Sequence, residues 1–201
     1  MKNKSRTFSV KSAYQVAVRL TQQHDEEHSV ARRDQPIWKK IWSLNVPPKV
    51  RTFLWRACSN SLPTRANLHR RKVQIESLCG VCCQEPETTG HMLWECPPVR
   101  NVWALVKGKT QKCSNEARDF FLLFGHMARI LELCELERWA ILAWSIWNAR
   151  NKFYFEHKQV HPSLILNGAY GLFDGWCSQE FRGLMGLAAA FCVGHGVVCF
   201  L

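Results

Sequence analysis

At 201 residues the chain is one or two domains' worth of polypeptide, and 47% hydrophobic with 21% charged residues is a globular composition that excludes general disorder. The first residues, Met1 to Phe8, carry charge without the apolar run of about 7–15 residues that a secretory signal needs, so the chain is expected to stay inside the cell. Its ten cysteines are then read as metal ligands and free thiols rather than a disulfide framework, and its net charge of +11 calls for a polyanionic partner.

Ser9 followed by Ala13, Val16, Ala17 and Leu20 predicts a capped helix that ends at the polar run Thr21 to Ser29. Pro36 opens a second helix carrying Ile37, Trp38, Ile41 and Trp42, and Pro47-Pro48 ends it. In the third, Val50, Phe53, Leu54, Ala57 and Cys58 recur at i, i+3, i+4, i+7 and i+8, which turns that face inward and Lys49, Arg51 and Arg56 outward. Thr64 caps a short helix through Arg71. Leu78 to Pro98 reads as loop. Two helical segments follow between Ala117 and Lys152, the second apolar on nearly all sides and so expected to be central. After His161-Pro162 the glycine-rich pieces Gly168 to Trp176, Gly186 to Val193 and Val197 to Leu201 read as β-strands, with Gly194-His195-Gly196 as a hairpin turn. Gly183 to Leu201 lacks charge and could also serve as a tail anchor, but its four glycines and central His195 favour strands.

The charge is concentrated. Nine Lys and Arg and no carboxylate lie between Lys39 and Ile75. A solvated face normally mixes signs, and a single-sign field repels itself unless a polyanion relieves it. Lys49, Arg51, Arg56, Arg65, Arg70, Arg71 and Lys72 are therefore the candidate phosphate contacts on RNA or DNA. Trp55 or His69 is a candidate stacking residue, although Trp55 sits in an apolar run and reads first as core. A merely basic surface is the competing reading.

Cys79, Cys82, His91 and Cys96 follow the spacing C-x2-C-x8-H-x4-C. A C-x2-C turn presents two thiolates from one tight loop and a second segment supplies the other pair, the donor set of a tetrahedral zinc site. Cys83, adjacent to Cys82, could also coordinate, but only Cys82 gives the x2 spacing. Four protein ligands leave no open position for water, so one structural Zn2+ is expected.

Phe8 to Tyr14, Ile37 to Trp42, Val46 to Val50, Phe53 to Trp55, Leu62 to Thr64 and Leu68, with the four ligands, Glu87 and Trp103, closely resemble the zinc-binding domain downstream of the polymerase in plant non-LTR (LINE-type) retrotransposon reverse transcriptases. Ala143 to Lys152 with Phe155-Glu156 resembles the helical connector that follows it. Phe173-Asp174-Gly175 is similar to the opening of a type 1 ribonuclease H, which would make Asp174 a vestigial metal carboxylate. The resemblance implies an N-terminal helix and loop (1–34), a basic zinc-binding domain (35–106), a connector (107–160) and a truncated ribonuclease H-like β segment (161–201). The fold expected is mainly α, with a zinc-stabilised loop module and a short C-terminal β-hairpin. Polymerase and ribonuclease H chemistry need several carboxylates around two metal ions, and the four aspartates, Asp25, Asp34, Asp119 and Asp174, are scattered. The chain is thus expected to be a zinc- and nucleic-acid-binding module rather than an enzyme, with no small-molecule substrate. A zinc-clipped protein-interaction module and a retroelement remnant without function are the alternatives.

Overall fold

The computed structural model describes residues 36–73, 75–112 and 119–194, with the backbone alone for 111–112 and 179–194. The helix expected from Ser9 lies outside those residues, as does the last expected strand. The chain forms two compact units, 1–40 and 41–201, and the first is described only over 36–40, which are helical.

Residues 36–43 are helical (α1). Helix α2, Pro48–Cys58, starts on a proline whose missing N–H has no partner to lose in a first turn, and it buries Val50, Phe53, Leu54, Ala57 and Cys58, the face that the spacing predicts. Helix α3, Arg65–Arg70, is capped by the Thr64 hydroxyl, which accepts the Asn67 N–H at 3.3 Å. It ends in a Schellman motif, with Val73 N–H on the Leu68 carbonyl (3.1 Å) and Lys72 N–H on that of His69 (2.9 Å). Lys72 there has φ +62°, where glycine is usual.

The remaining helices are α4 (Pro97–Ala104), α5 (Phe120–Ile130), α6 (Leu133–Glu156) and α7 (Pro162–Gly194). The Asp119 carboxylate caps α5, and a Glu132/Glu135 capping box starts α6, so the two separate at Leu131-Glu132 while Gly125 stays inside α5. Helix α6 is central, as its composition predicts. It packs against α2, α5 and α7 and buries Leu136, Trp139, Ala140, Ile141, Leu142, Ala143 and Ile146. Around it Trp103, Phe120 and Phe124 lie 5.8–6.1 Å from Trp139, and Trp94 lies 5.0 Å from Trp103. Aromatic pairs at these separations contribute about 0.5–1.5 kcal/mol each beyond their buried area.

The C-terminal β-hairpin is not what forms. Residues 162–194 are one helix, and among the described residues there is no strand, only an isolated bridge between Leu78 and Pro86. Tertiary packing overrides the glycines. Leu166, Ala169 and Phe173 are buried at helical spacing, and Arg138 of α6 lies 5.0 Å from the Phe173 ring. Gly168, Gly171 and Gly175 fall on the exposed side, where an added Cβ would meet nothing within 4 Å. Asp174 is exposed on this helix rather than on a first strand. Replacing Gly168, Gly171 or Gly175 by Ala is expected to stabilise the protein by about 0.5–1 kcal/mol each, measured by denaturant unfolding, because glycine costs that much in a helix. Among the described residues no helix is long and apolar enough to cross a membrane.

Candidate metal centre

The first two ligands sit on a knuckle closed by backbone bonds. Cys79 N–H donates to the Glu85 carbonyl and Glu87 N–H to that of Ser77, both at 2.8 Å, while Cys83 N–H turns back onto the Cys79 carbonyl at 2.8 Å. The other two come from a segment that the sequence presents as loop and the structure winds as a π-helix, His91–Glu95, entered through residues 89–90. Thr88 caps it, its hydroxyl accepting the His91 N–H at 3.1 Å. The winding has a purpose for the ligands. At about 100° per residue, two side chains five apart on an α-helix point about 140° away from each other. An i→i+5 turn stacks them, and here the Cys96 N–H closes on the His91 carbonyl at 2.7 Å, so both ligands face the knuckle.

The four ligand atoms of Cys79, Cys82, His91 and Cys96 lie within 4.8 Å of one another. Cys79 Sγ is 3.9 Å from Cys96 Sγ, and Cys82 Sγ is 3.3 Å from His91 Nε2. A tetrahedron with Zn–S bonds of about 2.3 Å has S···S edges of about 3.8 Å, so the donor set fits one Zn2+. The protons report the same crowding. A hydrogen bond from Cys96 holds the Cys79 thiol down at about 3, while that bond and burial push Cys96 up. Hydrogen bonding to Cys79 raises His91. A zinc ion takes the place of the shared protons, with all three cysteines bound as thiolates. Cys83, the alternative ligand, is exposed, has φ +55° and turns its sulfur toward the Gly80 carbonyl at 3.8 Å, outside the cluster.

Behind the knuckle lies a carboxylate that sequence reasoning did not single out as functional. Glu87 is fully buried. One of its oxygens accepts from Arg150 (2.5 Å) and from the Arg65 backbone N–H (3.0 Å), the other from the Tyr154 hydroxyl (2.6 Å). Tyr154 in turn accepts the Gly80 N–H, inside the C-x2-C turn, at 2.8 Å. The Arg150 guanidinium lies 4.1 Å from the Tyr154 ring. Burial, then the hydrogen bond to Glu87, push the Tyr154 phenol up to about 12. Gly80 is required by this contact, since a Cβ there would stand 2.7 Å from the Tyr154 hydroxyl oxygen. One signal was available in the sequence: Arg150 follows Ala143 and Ile146 at helical spacing, so it is a cation on the buried stripe of α6.

The basic residues separate into groups. Arg65 is turned inward, its Nε donating to the Glu76 carbonyl at 2.9 Å and its head 3.9 Å from the Glu76 carboxylate. Lys49 is exposed, with its ammonium 4.4 Å from the Trp144 ring. Arg51 is half-buried and reaches the Trp42 carbonyl at 3.5 Å. Arg56, Arg70, Arg71 and Lys72 are exposed. His69 is exposed with its Nδ1 on the Ile75 carbonyl at 3.0 Å, and Trp55, read first as core, is 44% exposed.

Residues 8–103 match the protein family described as zinc-binding in reverse transcriptase. That segment resembles a reverse-transcriptase zinc-binding domain. The matched segment's buried Glu87 takes its countercharge, Arg150, and the hydrogen bond of the Tyr154 hydroxyl from α6, outside that segment. The chain is also 26% identical over 147 residues to an Arabidopsis thaliana protein named "Putative ribonuclease H protein", an alignment that covers 71% of this chain and 23% of that one. The chain therefore spans about a quarter of that relative's length. No solved structure gives a significant match.

Proposed function

We propose that the chain is a zinc-clamped nucleic-acid-binding module of a plant non-LTR retroelement, with a binding rather than a catalytic role. The observation that supports this most is the carboxylate-free segment Lys39 to Ile75, which leaves Arg56, Arg70, Arg71 and Lys72 exposed on and just after helices α2 and α3. Such side chains bind phosphates by counterion release, with little regard to sequence. The zinc site has the complementary task of holding a polar loop rigid where too little apolar surface is available to do so. Arg51 joins the phosphate contacts, while Arg65 serves the internal structure.

Titration of RNA binding at several salt concentrations tests this reading. On single strands the log–log slope is about −0.7 per neutralised phosphate, so changing Arg70, Arg71 and Lys72 together to Gln is expected to flatten it by roughly two units. Zinc content and helicity stay unchanged because these side chains lie in solvent. An unchanged slope would make the basic run a solvated face and favour a protein-interaction module.

A further inference from the structure

Helix α2 carries more than charge on its outer side. Trp42 is 49% exposed and Trp55 44% exposed, although Ile41, Phe53 and Leu54 next to them in sequence are buried. Arg51 connects them. It lies four residues before Trp55, one helical turn or about 6 Å along the axis, and its guanidinium reaches back to the Trp42 backbone carbonyl at 3.5 Å. Thr52 and Arg56 are exposed beside Trp55. The segment itself contributes no carboxylate; among the described residues Asp119 lies toward the buried Cys58 and caps α5, and the buried Glu137 accepts the Asn45 N–H at 2.7 Å. Two exposed indoles, an arginine one turn before Trp55 and against the Trp42 backbone, and a second arginine next to Trp55 combine apolar planar surface with positive charge.

We propose that Trp42 and Trp55 form a base-stacking platform for single-stranded nucleic acid, with Arg51 and Arg56 holding the phosphates. The proposal rests on the nucleic-acid reading above and narrows it to the unpaired strand. The reason is chemical. A duplex keeps its base faces stacked inside, so an indole gains nothing from them, whereas an unpaired strand offers a π-face at every base and phosphates on one side. Arginine and tryptophan together suit that ligand, and charge complementarity favours it over an apolar or basic protein surface.

The test compares a fluorescein-labelled 12-nucleotide RNA with the same sequence as a duplex, on the full zinc-loaded chain and its variants. Base–aromatic stacking is worth about 1–3 kcal/mol per base, so Trp55→Ala is expected to weaken single-strand binding roughly 5- to 150-fold. Duplex binding and the salt slope stay as in the wild type, and Trp55→Phe recovers most of the affinity. Trp42→Ala behaves in the same way. A readout independent of any variant's folding is photocrosslinking of a 4-thiouridine RNA to the unaltered chain, which is expected to label tryptic peptides 41–49 and 52–56. Labelling confined to other peptides overturns the platform. So does equal loss on single strand and duplex, no loss on either, or self-association of the chain that Trp42→Ala and Trp55→Ala abolish, since a second copy would then occupy the face. If the wild type binds neither RNA, the nucleic-acid reading falls and takes the platform with it; salt-dependent binding that ignores both tryptophans removes the platform alone.

Discussion

Cys96→Ser is expected to leave the purified chain without zinc and with an unfolded loop, whereas Cys83→Ser is expected to keep one zinc per molecule. Structural zinc sites carry an apparent binding free energy on the order of 10 kcal/mol at neutral pH, comparable with the whole stability of a typical domain, about 5–15 kcal/mol. Met92, Leu93 and Trp94 anchor the π-turn in the core and Tyr154 braces Gly80, but the four ligands meet one another only at the metal. Cys96 is buried with its sulfur 3.9 Å from that of Cys79, and it also closes the π-turn that aims His91. Cys83 is exposed, and its sulfur faces a carbonyl rather than the cluster. Elemental analysis after gel filtration distinguishes the two variants, and undiminished zinc in Cys96→Ser would remove that residue from the ligand set.

Arg150→Met is the second large effect, and it acts at a distance of 63 residues in sequence from its partner. Removing one member of a buried ion pair typically costs about 3–5 kcal/mol, because the other charge remains desolvated. Glu87 would keep the Tyr154 hydroxyl and the Arg65 N–H but lose its countercharge. At about 2–4 °C per kcal/mol for a chain of this size, the midpoint of thermal unfolding falls by roughly 6–20 °C. Replacing both residues, Glu87→Gln with Arg150→Met, recovers part of that loss, since no charge is then stranded. The metal responds as well. Tyr154, held by Glu87, braces Gly80 between the first two ligands, so Tyr154→Phe, which removes that outer partner, is expected to lower metal affinity about 10- to 100-fold. Competition with a chromophoric chelator measures this; an unaltered zinc affinity would mean that the knuckle folds independently of α6.

The site was legible because its ligands declare themselves by element chemistry and short-range spacing, and helices α2, α3 and α6 because apolar periodicity and caps are local signals. Three features depended on information that is not local. The π-turn is a consequence of placing His91 and Cys96 on one ion, and the sequence between them, Met-Leu-Trp-Glu, reads equally as loop or helix. The Glu87–Arg150 pair joins two segments that only the packing of α6 brings together. Gly168, Gly171 and Gly175 argued against helix by propensity, yet Leu166, Ala169 and Phe173 supply the buried stripe that outweighs them. Trp55 shows the same limit in reverse: an apolar neighbourhood in sequence placed it in the core, and its position one residue off the buried stripe of α2 leaves it in solvent.

The loop, the π-turn and the clamp to α6 converge on the zinc centre. Zinc K-edge X-ray absorption on the full chain reads its donors directly. Three sulfurs at about 2.3 Å and one nitrogen at about 2.0–2.1 Å, with the imidazole scattering of His91, are expected. A shell of four sulfurs, which would bring Cys83 in and leave His91 out, or a shell containing water oxygen, would contradict this ligand set.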